Sequence, residues 1–199
     1  TVLEAKSATL LSKGVSWLCA AFSCTDAPES KEAEQAVYDF AVFLRGNMNA
    51  LESAEMIPFR EECKTIERYL HIEKIRFGER LQVQWDLQEE KFRIPPLTIQ
   101  PLVENAVCHG ICQKMEGGTV QIRSFRKNGE ICVQILDDGA GFDTEKLKDA
   151  DGIAIRNLKL RLKEFLNADL EIESRKGEGC RQTIHIPWEE TDDENYSDR

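Results

Sequence analysis

Two segments of the chain carry residue types that could together bind a nucleotide. In the first, Asn105 and His109 stand four residues apart in a helical run, so an amide and an imidazole share one face. In the second, Asp137 is followed by Gly139 and Gly141. Glycines allow the backbone to turn sharply and to approach a ligand closely. The two segments are typical of two walls of a nucleotide pocket.

Asp137 follows an alternating apolar run, Ile131, Val133 and Ile135, which places it at the end of a strand. A carboxylate at that position can accept a hydrogen bond from an amine such as the exocyclic amine of adenine. The alternative is a plain turn, because Asp and Gly favour turns in any protein.

The amide oxygen of Asn105 is a hard ligand of the kind that suits Mg²⁺, an ion that often bridges to substrate phosphates. Glu104, its neighbour, could bind a metal-bound water or act as a base. Alternatively, Asn105 only hydrogen-bonds a neighbouring loop. His109 could donate to a phosphate oxygen, or it could simply be a residue favoured by the dipole at a helix C-terminus.

A possible third part of the pocket follows at Gly152, directly before a predicted helix. A helix N-terminus behind glycine favours anions, and Arg156, Lys159 and Lys163 add positive charge on one face. The alternative is an ordinary solvated face. Residues 143–151 form either a lid over a nucleotide or a plain surface loop.

Composition narrows the class of protein. The chain has 199 residues with 41% apolar content, which is enough for one or two modest domains. Its net charge of −10 argues against a nucleic-acid surface, and its seven cysteines indicate reduced thiols. No apolar run reaches the ~20 residues of a membrane span. We expect a cytoplasmic protein, either free or the cytoplasmic portion of a membrane-anchored sensor, because the chain begins at Thr1 and a region upstream could be missing.

The first 80 residues are predicted to be helical. One helix is predicted over 3–24 and a second after Ser30, with Val37, Phe40, Ala41, Leu44, Met48 and Leu51 facing inward. A third follows Pro58 and ends at Gly78, with Cys63, Ile66, Leu70 and Phe77 inward. Three helices with short joints indicate a helical hairpin or bundle.

From Leu81 the pattern changes to strands mixed with helices. An α+β sandwich is therefore predicted, with helices on one face of a largely antiparallel sheet. Its predicted strands are Leu81–Leu87, Thr119–Phe125, Glu130–Leu136, Ala168–Ser174 and Cys180–Ile186, and its predicted helices are Leu97–Ile111 and Ile153–Leu166.

The order of these motifs resembles the GHKL ATP-binding fold and, more narrowly, the LytS-type (autolysin-regulator-type) sensor histidine kinases. The specific signatures are Tyr69–Gly78, Ile94–Asn105 and Gly152–Leu158, and the resemblance covers about residues 30–187. It implies an N-terminal helical dimerisation segment followed by a GHKL (Bergerat-type) two-layer α/β sandwich with a mixed, largely antiparallel sheet. The implied division is 1–80 for a phosphoacceptor-like helical segment, 81–187 for the ATP-binding domain and 188–199 for a disordered acidic tail.

The resemblance also implies ATP and Mg²⁺ as cofactors, a homodimer formed through the N-terminal helices, and a response regulator as a candidate partner. It implies no nucleic acid, and contact with a membrane only through a region outside this chain. Carried over residue by residue, it gives Glu104 and Asn105 as catalytic residues, Asn105 for Mg²⁺, Asp137 for adenine, Gly139, Gly141 and Gly152 as pocket lining, and His109, Arg156 and Lys159 for phosphates.

Three positions depart from the family pattern. The family's phospho-acceptor histidine would fall near Thr9, and no histidine precedes His71. The second glycine of the lid motif is Ala154, and the threonine that usually follows Gly179 is Cys180. The prediction is therefore an ATP-binding sensor histidine kinase-like protein with impaired or lost autophosphorylation. The alternative is a non-catalytic dimerisation module that signals by conformation.

Overall fold

A computed structural model describes residues 38–39, 41–43, 45–46, 55–143 and 153–188. The described residues from 57 onward contain seven strands and three α-helices. In chain order they are β1 (Ile57–Pro58), α1 (Phe59–Phe77), β2 (Leu81–Leu87), β3 (Arg93–Ile94), α2 (Gln100–Asn105), β4 (Gly118–Lys127), β5 (Glu130–Asp137), α3 (Ile153–Leu166), β6 (Asp169–Arg175) and β7 (Gly179–Pro187).

The main sheet has five strands in the order β2-β4-β5-β7-β6. Only the β2–β4 pair is parallel, and its connection runs through α2. The other three pairs are antiparallel. The described part of the chain thus has the predicted α+β architecture with a mixed, largely antiparallel sheet. A separate pair of two-residue strands joins β1 to β3.

Alternation along the strands separates the two faces of this sheet. On β5, the odd-numbered residues from Ile131 to Asp137 are all buried, and Ile131, Val133 and Ile135 are fully covered. They share a hydrophobic core with Leu158 and Leu162 of α3 and with Ile66 of α1. The opposite face, here called the outer face, carries the even-numbered residues of β5 and is predominantly polar.

Helix α1 follows Pro58 and ends at Gly78, whose φ of 56° is readily adopted by glycine. Its predicted inward residues Cys63, Ile66 and Leu70 are buried. The helical residues before it contact α1, since the Phe43 ring stacks on Tyr69 at 5.8 Å between centroids.

Two details of the N-terminal prediction differ from the structure. Ala41, expected to face inward, is exposed, and the buried residues of that described stretch are Asp39 and Phe43. The carboxylate of the buried Asp39 lies 2.8 Å from Nδ1 of His71, which gives it a polar partner. The predicted helix 3–24, the lid and the acidic tail lie outside the described residues.

The predicted helix Leu97–Ile111 is shorter and less regular than expected. Leu97 has φ 58°, so the α-helix begins only at Gln100. After Asn105 it continues as a π-turn over Ala106–Gly110 and a 3₁₀ turn over Ile111–Gln113. The start is delayed because the chain first makes a turn at Pro95, whose carbonyl accepts a 2.5 Å hydrogen bond from the Thr98 hydroxyl.

The hairpin predicted at Asn128-Gly129 is confirmed. Both residues have positive φ, 54° and 77°, as a two-residue hairpin turn between twisted strands requires. The flanking strands pair from Lys127↔Glu130 to Val120↔Asp137, which places Asp137 at the end of its strand as predicted. In the part of the chain that the structure describes, no helix has both the length and the apolar character needed to cross a membrane.

Candidate nucleotide site

Asp137 is the buried carboxylate at the centre of the candidate site. Only 7% of the residue is exposed. Its Oδ1 accepts a 3.0 Å hydrogen bond from the Gly139 N–H, and the backbone N–H of Cys180 also bonds to the carboxylate. Burial raises its pKa to about 6, aided by the nearby charge of Asp138 and opposed by these hydrogen bonds. At pH 7 to 8 the group is therefore an ionised acceptor.

The end of the Asn105–Gly110 segment lies directly on this carboxylate. A Cβ built on Gly110 would lie 2.4 Å from the Asp137 Oδ1, and a Cβ on Gly139 would lie 2.3 Å from the carbonyl carbon of Gly110. The Ala140 N–H donates to the Gly110 carbonyl oxygen at 3.1 Å. Both glycines are therefore needed for close packing between the helical segment and the strand end.

Sequence reasoning did not assign Gly110 any role. The signal that could have found it is a glycine that ends a helical run in a chain that also contains a D-x-G segment. Such a pair allows two backbones to approach without side chains between them.

The π-turn determines which residues of this segment reach solvent. Ala106, Val107 and Gly110 are buried, whereas Asn105 is half-buried and His109 is exposed. Single π-turns within helices are rare and occur frequently at functional sites. Asn105 and His109 are thus both at least partly accessible, and their contact with a ligand stays a prediction.

The carboxamide of Asn105 suits a cation such as Mg²⁺. Asn105 is half-buried in the structure. Glu104 beside it accepts a 2.7 Å hydrogen bond at Oε1 from the Gln100 side chain. The roles of Asn105 as an ion ligand and of Glu104 as its helper stay predictions.

A cleft of about 550 Å³ opens beside Asp137. Ligand pockets in proteins commonly measure roughly 300–1,000 Å³. This cleft lies between the end of β5 and the β6–β7 hairpin, and its lining includes Asp137, Ile172, Ser174 and Cys180. Asn105 is not part of the lining, so the wall opposite Asp137 is the hairpin rather than the α2 segment.

Cys180, at the position where the family has threonine, has a neutral thiol in this cleft. Burial, with the charge of Asp137, raises its pKa to about 12. Ser174 ties the same region together, because its hydroxyl donates to the Gly179 carbonyl at 2.7 Å and accepts from the Phe142 N–H at 2.9 Å.

Gly141 belongs to the same packed region. Its φ is 58°, and a Cβ there would lie 2.0 Å from the Arg175 carbonyl oxygen. The Gly177 N–H donates to the Ala140 carbonyl at 2.6 Å. The D-x-G-x-G segment is thus attached to the β6–β7 hairpin, and its predicted part in lining a nucleotide pocket stays a prediction.

The remaining predicted residues lie near or on α3. Arg156 is exposed and Lys159 is half-buried, while Lys163 lies 3.7 Å from the Asp169 carboxylate. Gly152 lies outside the described residues. Contact between Arg156 or Lys159 and phosphates stays a prediction.

Two parts of the chain match known protein families. Residues 18–81 match the histidine kinase family model, and residues 96–190 match the histidine kinase-, DNA gyrase B- and HSP90-like ATPase model. The chain is 34% identical over 169 residues to YwpD of Bacillus subtilis and 31% identical over 164 residues to the sensor histidine kinase BtsS of Escherichia coli. It is 28% identical over 171 residues to the sensor protein LytS of Bacillus cereus.

The alignment with YwpD covers 81% of this chain and 61% of YwpD. The alignment with BtsS covers 80% of this chain and 28% of BtsS, and the alignment with LytS covers 79% of this chain and 29% of LytS. The chain therefore spans less than two thirds of each of these relatives. Among solved structures, the histidine kinase domain of the blue-light activated kinase from Erythrobacter litoralis matches with a TM-score of 0.56 at 18% identity. That match covers 84% of this chain and 79% of the solved one, and it supports the fold.

The family match over residues 96–190, together with the mixed five-stranded sheet and the likeness to a solved histidine kinase domain, identifies a GHKL-type ATPase fold. Both family models match in the expected order, so the chain has the histidine kinase and ATPase regions of the sensor histidine kinase family, and it is similar to the LytS sensor proteins.

Proposed function

We propose that this chain binds ATP with Mg²⁺ in the cleft beside Asp137, as the nucleotide-binding part of a two-component sensor. The observation that carries the proposal is the buried, ionised Asp137 carboxylate at the wall of a cleft of about 550 Å³. A buried carboxylate is costly unless a partner satisfies it, and an amine donor of a purine would do so.

Each predicted residue has a place in this proposal. Asp137 would accept from the adenine amine, Asn105 would supply an oxygen ligand to Mg²⁺, and Glu104 would bind a metal-bound water or take a proton. His109, Arg156 and Lys159 offer donors and positive charge to phosphates, with Gly152 at the start of the following helix. Bound Mg²⁺ neutralises phosphate charge, which is the main requirement of phosphoryl transfer.

We further propose that autophosphorylation is impaired or lost. The histidine kinase family match begins at residue 18, after the position near Thr9 where the acceptor would fall. The chain has three histidines, and the first of them is His71. A threonine hydroxyl cannot form the phosphoramidate that a histidine kinase passes to an aspartate, so a phosphate acceptor would have to come from a partner.

The wider assignments belong to the same proposal. Residues 1–80 form a helical dimerisation segment of a homodimer, 81–187 the ATP-binding domain and 188–199 an acidic tail. A response regulator is the candidate partner. The cytoplasm is the proposed location, either for a free protein or for the inner portion of a membrane-anchored sensor, in keeping with relatives named as sensor kinases.

Calorimetry and phosphate labelling together test this proposal. Titration of the full chain with ATP, with and without Mg²⁺, should show one site per chain, tighter with the ion present. Incubation with γ-labelled ATP should leave the chain unlabelled under conditions that preserve phosphohistidine. Undetectable binding at millimolar ATP would contradict the nucleotide site, and acid-labile label on the chain would contradict the loss of autophosphorylation.

A second function, favoured by the missing histidine, is a non-catalytic dimerisation module that signals by conformation. It predicts ATP binding without turnover, or no binding at all, even with a response regulator present. Transfer of label from ATP to a regulator would exclude this alternative.

A further inference from the structure

A cluster of metal-ligating side chains lies on the outer face of the sheet, on the side opposite the helices. It contains Glu130 and Cys132 of β5 and His185 of β7. Their candidate ligand atoms, one from each residue, all lie within 4.8 Å of one another. Neither the nucleotide site nor the family resemblance uses these residues.

Strand pairing brings these three residues together. Glu130 and Cys132 are two residues apart on β5 and therefore face the same side. Cys132 is directly opposite His185 in the antiparallel pair of β5 and β7. The cluster is thus held by sheet register rather than by loops, which gives its side chains a defined separation.

The ligand atoms of the three side chains lie close to the spacing that a metal ion requires. The Cys132 Sγ lies 3.9 Å from the His185 Nδ1, and the Glu130 Oε2 lies 3.0 Å from the same nitrogen. Around a tetrahedral zinc ion with ordinary Zn–S and Zn–N bonds, neighbouring ligand atoms stand about 3.3–3.6 Å apart. The two distances to His185 would have to change by a few tenths of an ångström, and the distance between the Cys132 and Glu130 ligand atoms, which is within 4.8 Å, by up to about 1 Å.

A fourth residue contacts the second ring nitrogen of His185. The Glu171 Oε2, on β6, lies 3.5 Å from the His185 Nε2, on the other side of the ring from the cluster. Metal-bound histidines commonly donate their second N–H to a carboxylate, which fixes the ring and strengthens the ligand. Solvent can reach the site, because the side chains of His185 and Glu130 are 32% and 41% exposed.

From this geometry we propose that Glu130, Cys132 and His185 form a binding site for a divalent transition ion of the zinc class, with Glu171 orienting His185. Thiolate, imidazole and carboxylate together favour Zn²⁺ or Co²⁺ over Mg²⁺ or Ca²⁺. Binding replaces the Cys132 thiol proton with the ion, and that proton leaves to solvent. Three protein ligands leave a fourth position for water.

A bound ion would connect β5 and β7 directly, with β6 joined through Glu171. Because β5 ends in Asp137, the ion would stabilise the same strand that carries the proposed adenine acceptor. The metal-free alternative is a cross-strand cluster in which His185 simply pairs with two carboxylates.

The proposal is tested by titrating the full chain with Co²⁺ after its thiols have been reduced and any bound metal removed. Nucleotide is left out of the titration because ATP itself binds metal ions. We expect one equivalent of Co²⁺ to produce a thiolate-to-metal absorption band, Zn²⁺ to abolish it, and Zn²⁺ to raise the melting temperature. Cys132→Ser should remove the band and His185→Gln should weaken binding at least about 100-fold. Glu171→Gln should weaken it about 10–100-fold, the usual cost of losing a supporting partner.

Cys112→Ser is the matched control, since it removes a thiol elsewhere in the chain, and it should bind Co²⁺ as the wild type does. His185→Gln changes a half-exposed residue and remains informative if Cys132→Ser fails to fold. Absence of a band in the wild type, or a band that persists in both Cys132→Ser and His185→Gln, would overturn the proposal.

Discussion

Replacing Asp137 by Asn should change nucleotide affinity and protein stability in opposite directions. The substitution keeps the shape of the side chain and leaves an oxygen that can still accept the Gly139 N–H. It also turns the acceptor facing the cleft into a donor, which would oppose the adenine amine. Loss of a hydrogen bond to a charged group costs about 1.5–3 kcal/mol, so ATP affinity should fall roughly 10–150-fold.

Stability should follow the raised pKa of the carboxyl. Between its ordinary pKa of 3.8 and about 6, the folded protein holds a proton that the unfolded chain has released. Wild-type stability therefore falls as the pH rises through this window, by up to about 3 kcal/mol. The neutral amide of the Asp137→Asn variant carries no such cost, so the variant should be at least as stable as the wild type at pH 8, with an advantage that disappears towards pH 4.

The assays are calorimetric titration with ATP·Mg and urea unfolding at pH 4, 5, 6 and 8. Asp138→Asn is the matched control, because it removes the same charge one residue further along at an exposed position. That control should leave ATP affinity within about threefold of the wild type. Unchanged affinity in Asp137→Asn, or a stability difference independent of pH, would refute the reasoning.

Three further predictions concern the elements around this carboxylate. Gly110→Ala should lower ATP affinity at least about tenfold in calorimetry, because the added methyl group would overlap the Asp137 carboxylate. Gly46→Ala is the control: the space around Gly46 is open, so this substitution should leave the ATP affinity unchanged. Glu62→Ala should lower the free energy of unfolding in urea by about 2–4 kcal/mol, because two N–H groups at the start of α2 lose a buried acceptor; a loss under 1 kcal/mol would contradict this. Asn105→Ala should abolish the gain in ATP affinity that Mg²⁺ gives, and a preserved gain would remove Asn105 as a ligand.

The fold was largely predictable because its signals are local. Alternation identified the strands, and Asn128-Gly129 identified a hairpin that the backbone angles confirm. The position of Asp137 followed from the same alternation. The π-turn at Ala106–Gly110 was not predictable, since it depends on the close contact between Gly110 and the end of β5.

The shape of the candidate site also depended on long-range contacts. The cleft beside Asp137 is formed with the β6–β7 hairpin, more than 30 residues away in sequence, and no periodicity reveals that pairing. The environment of Glu62 was missed for the same reason. A glutamate in an amphipathic helix resembles a surface residue until the fold places it at the start of α2.

Glu62 also couples the position of α1 to that of α2. The carboxylate of Glu62, only 2% exposed, accepts the N–H groups of Ile99 and Gln100 at 2.6 and 3.1 Å. One side chain of α1 therefore holds the beginning of the segment that carries Asn105. A rotation of α1 about its axis would therefore displace the start of α2 and, with it, the segment that carries Asn105.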